Sequence, residues 1–236
     1  MCRMLVAVGK MNMTKLIGGF LAMARDRNET HEGNRKNKGE FLHKDGWGAA
    51  WLEDGKFKVV KSTKPCYKDS KMKKLRKLHT SFIVLHARKV SCGPCSLENT
   101  HPLHAFVGKK EYVFCHNGTL NDFVREDSAV SDSRIFFQKI ANQIGKNGKE
   151  EAALKKMWGS LKDFTGANVL LCSPQTIVVG TRYKINPKYY TMKLGKGKEF
   201  VVVSSEVLPK VKAKWRKMKN KEILTIDPAS LAIKRS

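Results

Sequence analysis

The residue pattern of this 236-residue chain predicts an α+β layered domain built on antiparallel sheets. Short β-branched and apolar runs occupy both ends of the chain, two stretches of helical period lie side by side near its middle, and strands do not alternate with helices as a parallel sheet requires. Hydrophobic residues make up 41% of the chain, with 11 Phe, 4 Trp and 5 Tyr, which excludes a disordered polymer. No convincing linker divides the sequence. Residues 2–236 are therefore expected to form one domain, with the basic stretch 209–236 packed as part of it.

Cys2 to Gly9 reads as a strand that begins almost at the terminus. Leu16, Ile17, Phe20, Leu21 and Ala24 recur at helical spacing between Thr14 and Arg25, although Gly18 and Gly19 each cost about 1 kcal/mol relative to Ala. Arg27 to Gly39 is polar and reads as a surface loop. Asp54-Gly55 joins Trp47–Leu52 to Lys56–Lys61 and suits a tight hairpin whose central residues need positive φ. Ser81 to Val90 and Glu111 to His116 are further strands, and the Pro- and Gly-containing segment between them is expected to be a loop. Ile135, Phe136, Ile140 and Ile144 share one helical face ending at Gly145, and Ala153, Leu154, Met157, Trp158 and Leu161 form another. Asn168–Cys172 and Thr176–Gly180 flank a Ser173-Pro174 turn, and Phe200–Ser204 with Ile223–Ile226 complete the strands.

The 46 Lys and Arg against 21 Asp and Glu give a net charge of +25. Most are lysines, spread in runs at Arg35–Lys38, Lys71–Lys77 and Lys210–Lys221 with no nucleic-acid-binding motif, so at most a sequence-independent affinity for polyanions is expected. No apolar run approaches the ~20 residues of a membrane span, and the N-terminal apolar stretch is too short for a signal peptide, which points to a cytoplasmic protein with no membrane partner. Six cysteines are too few for a disulfide scaffold, so free thiols are the expectation.

Cys2 is the first candidate for chemistry. Removal of Met1 leaves a cysteine with a free α-amine, a nucleophile carrying its own base, because an α-amino group has a pKa of about 7.7–8.0. Asn117-Gly118 reads either as a hairpin turn or as an oxyanion hole in which a side-chain amide and the next backbone N–H converge. Arg88 ends a strand, where its guanidinium can grip a carboxylate or simply face solvent. In Ser131-Asp132-Ser133, helix capping explains the Ser and Asp, but a carboxylate there can also bind an ammonium. Asp45-Gly46-Trp47-Gly48 reads as a turn entering a strand.

Taken in order, Cys2-Arg3-Met4, His43-Lys44-Asp45-Gly46-Trp47-Gly48, His86-Ala87-Arg88, Glu98-Asn99-Thr100-His101-Pro102, Phe114-Cys115-His116-Asn117-Gly118, Ser131-Asp132-Ser133 and Ser204-Ser205-Glu206 resemble class II glutamine amidotransferases, most closely the stand-alone members. The resemblance spans residues 2 to about 208. It implies the N-terminal-nucleophile (Ntn) hydrolase fold, a four-layer αββα sandwich with two stacked antiparallel sheets. It further implies Cys2 as nucleophile, Asn117 and Gly118 as the oxyanion hole, Arg88 and Asp132 as clamps for the glutamine α-carboxylate and α-ammonium, and Trp47, Gly48, His86, Asn99, His101 and Glu206 in support. Ammonia release through a γ-glutamyl thioester is the expected reaction, with no cofactor or metal and with an ammonia-accepting synthase as an expected separate partner.

Two rival readings remain open on the sequence: a γ-glutamyl amide or peptide hydrolase using the same Cys2 site, and a non-catalytic basic protein that binds polyanions. Lys89 and Leu103 stand where the family more often carries aromatic residues, which predicts an open mouth and acceptance of larger γ-glutamyl amides. Cys92-Gly93-Pro94-Cys95 has the sequence of a redox dithiol, and Cys92, Cys95, His101 and His104 can be drawn as zinc ligands.

Overall fold

The computed structural model describes residues 1–125 and 128–236. Strand β1 (Cys2–Gly9) lies inside a sheet because both of its faces are apolar: Met4, Val6 and Val8 face one way, Leu5 and Ala7 the other. Its neighbours are β10 (Phe200–Ser204) and β4 (Phe82–Arg88), both antiparallel. Outward from β4 come β2 (Trp47–Glu53) and β3 (Lys56–Ser62); outward from β10 come β9 (Lys193–Lys196) and β11 (Lys214–Lys217). The β2–β3 turn places Asp54 and Gly55 at φ 51° and 74°, the left-handed pair expected of that dipeptide.

The second sheet runs β13 (Ile233–Arg235), β12 (Ile223–Ile226), β8 (Ile177–Gly180), β7 (Asn168–Cys172), β6 (Lys110–Asn117) and β5 (Leu103–Val107), again antiparallel throughout. Met4, Val6 and Val84 of the first sheet meet Val113, Leu170 and Val179 of the second in the core between the sheets. Helix α1 (Met13–Ala24) and the short α2 (Ser70–Lys74) cover the outer face of the first sheet. Helices α3 (Asp132–Asn147) and α4 (Glu150–Ser160) cover the second through Phe136, Ile140, Leu154 and Trp158. A single turn, α5 (Pro187–Tyr190), precedes β9. The result is the four-layer αββα arrangement.

Four strands, β5, β9, β11 and β13, go beyond the sequence expectation. The stretch between residues 90 and 111 is not all loop, since β5 forms within it and pairs with β6 from Leu103↔Phe114 to Val107↔Lys110. The lysine run 210–221 contains β11, an edge strand that pairs with β9 and turns its charged residues outward. The tail 209–236 thus supplies strands to both sheets. Among the described residues, no helix is long and apolar enough to cross a membrane.

Candidate active site

Because β1 and β4 pair with Cys2 opposite Arg88 and Met4 opposite His86, the Cys2 side chain shares the inter-sheet face with Arg88 and His86. Cys2 is buried, and its backbone N–H donates to Asn117 Oδ1 at 2.6 Å. That bond fixes the Asn117 amide plane and turns Nδ2 away, where it is buried with no partner among the described residues. Asn117-Gly118 is not a hairpin turn: β6 ends at Asn117, and its next neighbour begins at Asn168 in register with it. A Cβ on Gly118 would lie 1.6 Å from the Gly166 carbonyl oxygen, so this close approach of two backbones requires glycine.

Three histidines lie beside the thiol. His86 donates from Nε2 to the His116 carbonyl at 3.3 Å, leaving Nδ1 without a partner, and its ring stands 4.4 Å from that of His101. Both ring nitrogens of His101 are buried and unpartnered among the described residues, and burial together with the neighbouring His86 and His116 holds it well below the usual histidine range. His116 donates from Nε2 to Gly166 O at 3.3 Å and accepts at Nδ1 from the Ser133 hydroxyl at 2.8 Å; burial, partly offset by Asp132, takes it down to about 4. Burial pushes the Cys2 thiol up, but the His86 imidazole and the N-terminal ammonium outweigh it and bring the thiol down to about 6. Met1 is present, and its amine donates to Lys89 O at 2.7 Å.

Arg88 and Asp132 both line the cavity at Cys2, together with Asn99, His101 and Gly118. The Arg88 guanidinium donates to Pro94 O at 2.9 Å and Cys92 O at 3.1 Å, so the Cys92–Cys95 loop folds onto it. Asn99 ties that loop down, donating to Pro94 O and Ala129 O while accepting from Ser131 N at 3.0 Å. Ser131 occupies the N-cap position of α3 but makes no cap bond; its hydroxyl is buried and has no partner among the described residues. Asp132 accepts from Leu120 N at 2.8 Å and Ser133 N at 2.7 Å. The enclosed space is about 20 Å³, room for about one water.

The remaining sequence candidates divide by position. Gly48 lets His101 and Pro102 lie against β2, since a Cβ there would stand 2.3 Å from His101 O. Trp47 points to the opposite face of the sheet, where its indole donates to Asp69 at 3.1 Å, so it does not line the cavity. Glu206 pairs with Arg3 at 2.5 Å, both buried, one residue along the chain from Cys2. Leu103 packs in the core under α3 with Phe114 and Phe137 and does not line the Cys2 cavity, whereas Lys89 does line it, with its ammonium 4.7 Å from the Phe41 ring centroid. The zinc quartet does not assemble: His104 pairs with Glu111 at 2.8 Å while His101 is buried against His86, and no metal-holding group of His, Cys, Asp or Glu occurs among the described residues.

Sequence reasoning missed Tyr189. Its hydroxyl donates to Cys2 O at 2.9 Å and meets His43 Nε2 at 2.9 Å, while its ring carries the Arg3 guanidinium 4.1 Å above the centroid. A tyrosine pair in a polar stretch after a proline gives no signal of this role. Only the fold brings α5 under the first residues of β1.

The sequence profile described as "Glutamine amidotransferases class-II" matches residues 13–169. Among curated proteins, an uncharacterized protein of Methanocaldococcus jannaschii is 36% identical over 114 residues, 44% of this chain and 32% of its own length. Escherichia coli YafJ, provisionally named a glutamine amidotransferase, is 29% identical over 91 residues, 38% of this chain and 36% of its own length. The matches therefore cover only about a third of either relative. Among solved structures, glutamine phosphoribosylpyrophosphate amidotransferase from B. subtilis superposes with a TM-score of 0.69 at 15% identity, over all of this chain and 49% of that one. A class-II domain protein from Silicibacter pomeroyi gives 0.61 at 14% identity, over all of this chain and 98% of that one. The stacked sheets are those of the Ntn-hydrolase fold, and with the profile matching well over half of its residues, the chain belongs to the class-II glutamine amidotransferases.

Proposed function

We propose that the chain hydrolyses the side-chain amide of glutamine, releasing ammonia and glutamate through a γ-glutamyl thioester on Cys2. The observation that carries this reading is Asn117: one end of its amide holds the Cys2 backbone, and the other is a buried donor with no partner among the described residues. An unsatisfied buried donor costs about 1–3 kcal/mol, a cost that an oxyanion forming at the thiol would relieve. Arg88 takes the α-carboxylate of the substrate and Asp132 its α-ammonium, which sets the γ-amide over the thiol. The thiolate adds to the γ-carbonyl, the oxyanion collapses with departure of ammonia, which takes a proton, and water then cleaves the thioester to give glutamate and free Cys2.

In the chain that retains Met1, the Cys2 nitrogen is a peptide N–H and cannot act as a base. Excision of Met1 frees the amine at the position now held by Asn117 Oδ1, within reach of its own thiol. The test is intact mass together with turnover: active protein from its native host lacks Met1, and rapid quenching with glutamine adds the mass of a glutamyl group to wild type but not to Cys2→Ala. Full activity with Met1 retained would overturn the amine as base; full activity of Cys2→Ala would overturn the whole reading. Delivery of the ammonia to a separate synthase remains the proposal for its use.

A further inference from the structure

A second cavity, about 560 Å³, lies where the edge strands β3 and β5 meet α3. Its size falls in the range of small-molecule sites. Leu103 and Phe137 give it an apolar floor, and Lys61 and Arg134 supply positive charge. Lys61 Nζ donates to Leu97 O at 3.3 Å, and burial pulls its pKa below the usual lysine range. Among the described residues neither Lys61 nor Arg134 forms an ion pair, although Glu98 lies on the same rim and its field reaches both.

The cavity shares a wall with the Cys2 site. Glu98 and Val130 face the larger cavity, while the next residues in each segment, Asn99 and Ser131, face the smaller and are joined by the Ser131 N–H to Asn99 Oδ1 bond. Helix α3 serves both sides, presenting Asp132 to the thiol cavity and Arg134 and Phe137 to the other. Burial penalises the charge of Lys61, and Arg134 stands over the apolar floor with no ion-pair partner among the described residues. An anion with an apolar body would offset the penalty at Lys61 and give Arg134 a partner.

We propose that this groove is a binding site for a small organic anion, a carboxylate or phosphate on an aromatic or branched aliphatic body. Its place beside an ammonia source rests on the glutamine reading above; its capacity to bind does not. The guanidinium fork of Arg134 takes two oxygens of the anion, Lys61 a third contact, and Phe137 and Leu103 the apolar body.

The test is titration of full-length Cys2→Ala protein with phenyl phosphate, benzoate and neutral benzyl alcohol, followed by calorimetry. Using an inert variant separates this result from the glutamine reading, which stands or falls on turnover by wild type. The expected result is saturable binding of at least one anion, weakened tenfold or more by Arg134→Ala and by Lys61→Ala, weakened less by Arg134→Lys, which keeps the charge but loses the fork, and unchanged by Lys212→Ala. Tighter binding of phenyl phosphate than benzoate assigns a phosphate ligand, and the reverse a carboxylate. No saturable binding, equal affinity for benzyl alcohol, or equal weakening by Lys212→Ala would overturn the proposal. Melting curves of the variants separate a lost site from a lost fold.

Discussion

Asn117 has two ends, and they can be tested separately. Asn117→Asp keeps an oxygen where Oδ1 accepts from Cys2 N at 2.6 Å but replaces the buried, unpartnered Nδ2 donor by a second oxygen. Asn117→Ala removes both. If the donor stabilises the oxyanion, its loss costs about 2.7–4 kcal/mol, which is a factor of about 10² to 10³ in kcat. Both variants should then fall by similar factors. If Asn117 matters only by fixing the start of β1, Asn117→Asp should keep nearly full activity while Asn117→Ala loses it. The new carboxylate also raises the pKa of the nearby thiol, so kcat is compared on the alkaline plateau of each pH profile, by ammonia release at saturating glutamine. An Asn117→Asp enzyme within about threefold of wild type would refute the oxyanion role.

Two further outcomes follow from the electrostatics. With the Cys2 thiol lowered to about 6, the rate of its alkylation by iodoacetamide in protein retaining Met1 should rise through a midpoint near that value and level off above it, as followed by peptide mass; His86→Gln should move the midpoint upward, and a midpoint near the ordinary thiol value of about 8.5 would contradict the role given to His86. Glu206→Gln strips the buried Arg3 of its partner, for which about 3–5 kcal/mol of stability is expected to be lost, roughly 6–20 °C in Tm for a chain of this size; a drop under about 2 °C by calorimetry would show that Tyr189 alone suffices to hold Arg3.

The parts of the fold that could be read from the sequence are those in which side-chain periodicity and burial coincide. β1 has apolar residues on both faces and sits centrally, α1 keeps its stripe despite two glycines, and Asp54-Gly55 forms the turn its φ values require. β5 and β11 escape because edge strands need bury little: Leu103–Val107 alternates weakly, and Lys214–Lys217 carries charges that read as solvated surface. At the site, the order of short motifs singles out Cys2, Arg88, Asn117 and Asp132, which strands of the two sheets and the start of α3 bring together. It said nothing of Tyr189 or of the Arg3–Glu206 pair, whose meaning comes from contacts 186 to 203 residues apart in sequence. Leu103 shows the opposite error: its departure from the family pattern predicts a change at the mouth, but the side chain packs in the core and lines the larger cavity, away from the thiol.

The hold of the Cys92–Cys95 loop on Arg88 makes the protein its own first competitor. With Cys92 O and Pro94 O seated on the guanidinium, the positive charge is never bare, and any carboxylate must outbid two carbonyls before it can dock. On the proposed reading a substrate carboxylate can do so, because its bonds to a guanidinium are charge-assisted, roughly twice as strong as neutral ones. Weak acceptors do not, so the occupied arginine filters ligands by anionic strength as well as by shape. With only about 20 Å³ free beside the thiol, a ligand the size of an amino acid needs more room there than this arrangement of the loop leaves. If the chain turns over glutamine as proposed, the release of those two carbonyls is a step that can pace it, and agents that slow the loop would lower the rate of glutamine capture without touching the thiol.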